Sequence, residues 1–118
     1  MPWAAFDDHF HDSEQALRAG PEACGLHLLA TTWCCAHLTD GHIPGIVAEP
    51  FIDRCANGKG LVARLIEAGL WEETKDGYRL PLFLEDNRSA EEVASDKAER
   101  KRKAQAAAAR RWKDKPKP

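Results

Sequence analysis

Residues 61–80 read LVARLIEAGLWEETKDGYRL, and this stretch decides the fold. Its first half carries apolar residues at three- and four-residue spacing, which predicts one apolar stripe on a helix. The members of this stripe are Leu61, Val62, Leu65 and Ile66. Asn57 is a residue type that caps such a helix at its start, and Gly69 stands where a left-handed cap would end it. We expect Leu70 to fold back on the stripe from beyond that cap.

The second half of the stretch predicts a β-hairpin. Asp76-Gly77 lies between two runs of alternating pattern, and this dipeptide is a strong signal for a tight turn between two strands. We place one strand near residues 70–75 and its partner near residues 78–82. Pro81 cannot donate a backbone hydrogen bond, so the second strand is expected to be short or to lie at an edge.

Two helices are predicted at the start of the chain. Ser13 can cap a short helix that runs through Leu17 and ends near Gly20. Pro21 suits the first position of a second helix. The predicted apolar stripe of this second helix is Leu26, Leu29, Ala30, Trp33 and His37. Because Trp33 lies on that stripe, we expect it in the core, where Trp33→Ala would cost about 3–5 kcal/mol.

Two short elements are predicted between the second helix and Asn57. A Thr-Asp-Gly step ends the second helix, and residues 41–43 leave room for a very short strand. Pro44 opens a third helix, which Pro50 is expected to limit. We expect Ile46 and Val47 to face inward from this helix.

The resulting order is helix, helix, strand, helix, helix and hairpin. This order predicts a mainly α fold with a small β-sheet, an α+β winged helix-turn-helix domain over residues 1–88. In such a fold the hairpin packs beside the last helix of the motif. The strand at residues 41–43 would then join the hairpin and give its edge a partner.

A C-terminal helix and a basic tail are predicted over residues 89–118. Ser89 and Glu92 form a capping-box pattern, which starts a helix at about residue 90. Only alanines and charged residues follow Lys97 for most of the tail, and a helix without a packed face is marginal in water. We therefore expect residues beyond about 100 to be frayed or disordered, and the closing Lys-Pro-Lys-Pro to be non-helical.

The charge of the chain is divided between its two ends. Residues 97–118 carry ten Lys/Arg against Glu99 and Asp114, a net charge of +8. Residues 1–96 carry 7 Lys/Arg against 17 Asp/Glu, a net charge of −10. A basic terminal segment on an acidic body is typical of a polyanion partner, of an intramolecular clasp, or of both.

Several functions lack support in the sequence. There is no glycine-rich phosphate loop, no Gly-x-Ser-x-Gly and no His-Glu-x-x-His, so we expect neither catalysis nor a cofactor. Cys24/His27 and Cys34/His37 are two i, i+3 pairs, but they lie about 15 Å apart along one helix and cannot share one ion. His9 and His11 leave a zinc site open only as a minor alternative, because the zinc-finger spacing is absent.

The location expected from the sequence is the cytoplasm, or the nucleoid if the protein binds DNA. The N-terminal residues carry no signal-peptide pattern, and no apolar run approaches the roughly 20 residues that span a bilayer. The cysteines (Cys24, Cys34, Cys35 and Cys55) are expected to be thiols, mostly in the core.

The chain resembles the winged-helix replication initiators and replisome organisers of actinobacterial phages and prophages. The resemblance spans residues 3–95 and rests on Trp3, Asp7-Asp8 with Phe10, Gly25-Leu26, Trp33-Cys34, Thr39-Asp40-Gly41 with Ile43-Pro44, Leu61-Val62 with Ala68-Gly69-Leu70-Trp71, Gly77-Tyr78, and Asn87-Arg88-Ser89 with Val93. The family tends to have a His-Pro-Lys step where this chain has His11-Asp12-Ser13, so one candidate phosphate contact is missing. The resemblance implies DNA binding in replication initiation or regulation.

The candidate DNA-binding residues fall in two groups. In the body, the fourth helix and the hairpin offer Arg54, Asn57, Lys59, Arg64, Lys75 and Arg79 for base edges and phosphates. In the tail, two basic clusters offer Arg100, Lys101, Arg102, Lys103, Arg110 and Arg111 for phosphates. Trp112 could stack on a base or pack on a protein partner.

The alternative is a protein interaction module that binds a host or replisome protein through its acidic body. The position of the body cations in space distinguishes the two hypotheses. One continuous basic face would favour DNA, whereas cations scattered among Glu67, Glu72, Glu73 and Asp76 would favour a protein partner.

Overall fold

A computed structural model describes residues 3–113 and shows a mainly helical protein with one small sheet. A short 3₁₀ turn, Phe10–Asp12, precedes the regular elements. These are α1 (Glu14–Ala19), α2 (Pro21–His37), β1 (His42–Pro44), α3 (Gly45–Asp53), α4 (Gly58–Ala68), β2 (Glu72–Glu73), β3 (Gly77–Arg79), α5 (Phe83–Asp86) and α6 (Ala90–Lys113). The expectation for the closing Lys-Pro-Lys-Pro lies outside the described residues.

The three strands form one antiparallel sheet in the order β1-β3-β2. Ile43 of β1 and Glu73 of β2 both pair with Tyr78 of β3, which confirms that the strand after α2 joins the hairpin. Gly77 permits this pairing, because a Cβ there would collide with the carbonyl of Ile43 and the amide of Gly45.

The hairpin strands are shorter than the sequence predicts. The backbone amides of Leu70 and Trp71 both donate to the carbonyl of Leu65, at 3.0 and 3.2 Å, so these two residues belong to the cap of α4. Gly69 adopts the left-handed conformation at φ +85°, as the predicted cap requires. The chain therefore reaches the sheet only at Glu72.

Side-chain caps start two of the helices as predicted. The Ser13 hydroxyl accepts from the amide of Ala16 at 3.1 Å, and the Ser89 hydroxyl accepts from the amide of Glu92 at 3.1 Å. Asn57 occupies the N-cap position of α4, but its side chain makes no capping hydrogen bond. The predicted side-chain cap at Asn57 is therefore wrong.

Helix α3 differs from its prediction in two ways. Pro50 lies inside the helix, which continues to Asp53. The ring removes the hydrogen bond that residue 50 would donate to the carbonyl of Ile46, and both residues lie on the exposed surface, where water can bind that carbonyl. Ile46 is 83% exposed, so its predicted inward position is wrong.

The buried face of α2 is rotated from the predicted stripe. Its buried residues are Ala23, Leu26, His27, Ala30, Thr31 and Cys34. Leu29 and His37 are exposed, and Trp33 is only half-buried, with its ring stacked on that of His37 at 4.4 Å. Helix α2 is apolar on most of its surface, so its apolar pattern alone does not select the buried face. The neighbouring helices pack on the face that carries the small residues Ala23, Ala30 and Cys34.

Trp71 is the tryptophan of the core. It is 1% exposed, and its Nε1 donates to Nδ1 of His27 at 3.0 Å. The His27 ring in turn lies against Phe10 in a stacked arrangement and against Phe6 edge-on, with centroids 5.9 and 6.1 Å away. This hydrogen bond joins the hairpin entrance to α2, and the ring contacts of His27 add the N-terminal segment.

The four cysteines are free thiols, as expected, but only Cys34 is fully buried. Burial raises the pKa values of the Cys24, Cys34 and Cys35 thiols. No helix of residues 3–113 is long and apolar enough to cross a membrane.

Helix α6 extends far beyond the point at which fraying was expected. It is continuous to Lys113 and has no extensive packing contact with any other described element. Alanine has the highest helix propensity, and the i, i+4 ion pairs Asp96–Arg100 and Glu99–Lys103 support this helix. The described chain consequently measures 72 Å in its longest dimension and 31 × 21 Å in the other two.

The two tryptophans predict a stability difference. Trp71→Ala should lower the free energy of unfolding by about 3–5 kcal/mol, because it empties a core position and leaves His27 without its donor. Trp33→Ala should cost less, about 1–2 kcal/mol, because its ring is partly exposed at the edge of the core. Chemical denaturation measures both, and equal losses would contradict the arrangement of the core.

His27 predicts a pH dependence of stability. Burial lowers the pKa of His27 from its ordinary 6.5 to about 4. Above pH 6.5 the imidazole is neutral in both the folded and the unfolded chain, and His27 does not lower the free energy of unfolding. As the pH falls from about 6.5 to about 4, His27 binds a proton in the unfolded chain but not in the folded chain. The free energy of unfolding therefore falls by about 3 kcal/mol.

The measurement is the free energy of unfolding at pH 7, 6, 5 and 4. His27→Gln keeps an acceptor for Trp71 and should flatten the dependence over this window. His37→Gln, at the exposed end of the same helix, is the matched control. An unchanged pH profile in His27→Gln would show that another group causes the loss.

Candidate nucleic-acid interface

Residues 97–113, which we call the basic arm, form the second half of α6. The basic arm contains eight Lys/Arg and one acidic residue, Glu99. All side chains from Lys97 to Trp112 are exposed. At 100° per residue, the cations point in all directions around the helix rather than along one stripe.

Two of the arm cations are paired within the helix itself. Arg100 lies 3.3 Å from Asp96, and Lys103 lies 3.6 Å from Glu99. The arm cations without an ion pair in residues 3–113 are Lys97, Lys101, Arg102, Arg110 and Arg111. Exposed i, i+4 pairs are weak, so the paired cations also remain available to a polyanion.

The first half of α6, which precedes the basic arm, is held by contacts that the sequence does not single out. Arg88, which precedes α6, contacts the Asp96 carboxylate at 3.1 Å and the carbonyl of Glu92 at 3.3 Å. The hydrogen bond from Arg88, with further help from Arg100, lowers the pKa of Asp96. At the first turn, the Asp40 carboxylate accepts from the amide of Ala90 at 2.7 Å. The i, i+4 spacing reveals Asp96–Arg100, whereas the contacts of Arg88 and Asp40 depend on the path of the chain into α6.

Small residues separate the two basic clusters. Residues 104–109 are five alanines and Gln105. A rise of 1.5 Å per residue places Arg102 and Arg110 about 12 Å apart along the axis, and the whole arm is about 24 Å long. The helix is therefore narrow between two cation clusters.

The exposed face of α4 carries little positive charge. Its solvent-facing residues are Lys59, Ala63, Ile66 and Glu67. Arg64 is also exposed, but it lies at the side of the helix, where its guanidinium approaches Gly20 at the junction of α1 and α2. The helix predicted to contact base edges thus presents two exposed cations, Lys59 and Arg64, beside one carboxylate, Glu67.

The other body candidates lie among acidic residues as well. Arg79 of β3 pairs with Glu72 of β2 at 3.3 Å. Lys75 is in the hairpin turn next to Asp76, and Arg54 follows the end of α3 next to Asp53. All three candidates are exposed, but they are interspersed with carboxylates.

A metal centre has no support in the described part of the chain. Among residues 3–113, no three His, Cys, Asp or Glu side chains lie close enough together to hold an ion. Two of the six side chains weighed for zinc are engaged in the core, because His27 accepts from Trp71 and Cys34 is fully buried.

Comparison with known proteins identifies no relative for this chain. No protein-family model, curated protein or solved structure matches it. The resemblance to phage replication initiators therefore stays a prediction.

Proposed function

We propose that this protein is a winged-helix DNA-binding protein in which the basic arm supplies most of the affinity for phosphates. The order α2, β1, α3, α4, β2 and β3, with a β1-β3-β2 sheet, supports this class. Residues 54–57 join α3 to α4, a connection of the length used in helix-turn-helix motifs.

The basic arm is the observation that carries the proposal. The major groove of B-DNA is about 12 Å wide and admits one α-helix. A helix that is narrow over residues 104–109 can lie in that groove while the clusters on both sides of it reach phosphates. These contacts release counterions and need no base sequence.

The body has a secondary role in this proposal. Its net charge of −10 repels phosphate, so the arm has to make the first contact. Lys59 at the exposed face of α4 and Lys75 in the hairpin turn are then the body cations best placed to add contacts. The resemblance stated above suggests replication initiation or regulation of a phage or prophage as the setting.

Salt dependence tests the role of the arm. Binding of a labelled random duplex should weaken steeply with salt, with a slope of log K against log salt of about −5 for six phosphate contacts. Lys101→Gln/Arg102→Gln should make this slope shallower by about 1.8, because it removes two contacts.

The comparison is Lys59→Gln/Lys75→Gln, which removes the same charge from the body and should make the slope shallower by clearly less than about 1.8, because the contacts of the body are secondary. A larger effect of the body pair would move the main interface to α4 and the hairpin. If the wild-type chain fails to bind the duplex at low salt, the proposal of DNA binding is wrong.

The second candidate is a protein interaction module, and the interspersed charges of the body favour it. Arg79 is already neutralised by Glu72, and Ile46 and Ile66 are exposed at 83% and 37%. A surface of mixed charge with exposed isoleucines suits a protein better than a phosphate backbone. Absence of duplex binding by the wild-type chain in the experiment above would put this candidate first.

A further inference from the structure

A cleft of about 460 Å³ lies between the N-terminal segment, α2 and the segment around α5. This volume is within the range of pockets that hold small ligands. Its apolar walls include Phe6, Phe10, Leu82 and Phe83. The side chain of Asn87 holds the cleft together, because it accepts from the amide of Ala5 at 2.8 Å and donates to the carbonyls of Ala5 and Phe83.

His27 gives the cleft a polar floor. The imidazole is 8% exposed and contributes to the cleft lining. Because its Nδ1 accepts from Trp71, the proton of the neutral ring is on Nε2, which is then a donor. Within residues 3–113 no acceptor contacts this Nε2. An occupant with a carbonyl oxygen can therefore bind there.

The rim of the cleft is acidic. Asp7, Asp12, Glu85 and Asp86 are all lining residues with exposed side chains, and no Lys or Arg is found among the described residues that line the cleft. Aromatic walls under four carboxylates fit an aromatic side chain that is flanked by cations. The body thus offers a receptor for a basic and aromatic peptide segment.

The chain itself contains such a segment. Arg110-Arg111-Trp112-Lys113 places one large aromatic residue among three cations. Trp112 is 75% exposed at the far end of α6. We propose that the cleft of one copy of this protein binds the Arg110–Lys113 end of the basic arm of a second copy.

The geometry of α6 favours a second copy over the same chain. Asn87 lines the cleft, and α6 starts three residues later at Ala90. Twenty-two helical residues then place Trp112 about 33 Å from Ala90. A continuous helix cannot return its end to the cleft at its own base, whereas the arm of a neighbour can reach it. Because each copy has both parts, two copies can exchange arms around a two-fold axis.

Sedimentation of the full-length chain over a concentration series at low salt tests this exchange. We expect reversible, concentration-dependent dimers that weaken with salt. Glu85→Gln/Asp86→Asn should weaken dimerisation about tenfold, because two rim charges are lost. Glu49→Gln/Asp53→Asn changes the net charge equally on α3, away from the cleft, and should leave the dimer constant within about twofold.

The arm has its own matched pair of variants. Arg110→Gln/Arg111→Gln should weaken the dimer about tenfold, whereas Lys97→Gln/Lys101→Gln removes the same charge nearer the base and should have less than a threefold effect. A wild-type chain that stays monomeric over the concentration series would overturn the proposal. Equal losses in both arm variants, or in both carboxylate variants, would also overturn it, because they would show unspecific charge attraction.

A peptide measurement keeps the test independent of variant folding. A labelled synthetic peptide of residues 104–118 should bind the wild-type chain, and the same peptide with Trp112 replaced by alanine should bind at least about tenfold more weakly. Equal binding of the two peptides would exclude the cleft as the receptor. The inference does not depend on DNA binding, because neither experiment contains nucleic acid.

Discussion

The hydrogen bond between Trp71 and His27 is the constraint on which the rest of this structure depends. Trp71 comes directly after the cap of α4, so this bond fixes where the hairpin begins relative to α2. A buried indole N–H without a partner costs on the order of 1–3 kcal/mol, so the acceptor on α2 is needed for this position of the ring. Burial keeps His27 neutral, and the same contact places the proton of its ring on Nε2. One bond between side chains 44 positions apart thus joins the hairpin, the second helix and the cleft.

Much of the fold follows from local signals in the sequence. Ser13, Gly69 and Ser89 begin or end helices where expected, because a cap requires only a hydroxyl or a left-handed residue at the correct position. Asp76-Gly77 also marks the hairpin, although Lys75 and Asp76 form the turn and Gly77, which has no positive φ, is the first residue of β3. Each of these features depends on a few consecutive residues, and such features can be read without knowledge of the neighbouring elements.

Features that depend on tertiary packing cannot be predicted from the sequence. Helix α2 is apolar on several faces, so periodicity alone cannot choose between the stripe of Trp33 and the stripe of His27. The choice is made by Ala23, Ala30 and Cys34, whose small side chains allow close packing. The ion pairs of the candidate interface also depend on tertiary structure. Composition reveals a basic arm, but the pairing of Arg79 with Glu72 and of Arg88 with Asp96 requires the folded chain.

The length of α6 results from two weak effects, the helix propensity of alanine and the i, i+4 ion pairs. The basic arm makes no extensive packing contact with the other described elements, and from the sequence alone a helix without a packed face is expected to fray. Five alanines between the clusters and the two i, i+4 ion pairs each contribute only a few tenths of a kcal/mol per residue or pair. Summed over 24 residues, these contributions support a rod that keeps its cations away from the acidic body.

The two proposed uses of the arm compete for the same cations. Arg110 and Arg111 cannot lie in an acidic cleft and on a phosphate backbone at once, so DNA would separate dimers and dimerisation would weaken DNA binding by the same factor. Both interactions are electrostatic, but their charge densities differ. A duplex presents a phosphate every 1.7 Å, whereas the cleft presents four exposed carboxylates. DNA should therefore prevail wherever it is abundant, and the exchange of arms should protect the basic helix from unspecific contacts wherever it is not.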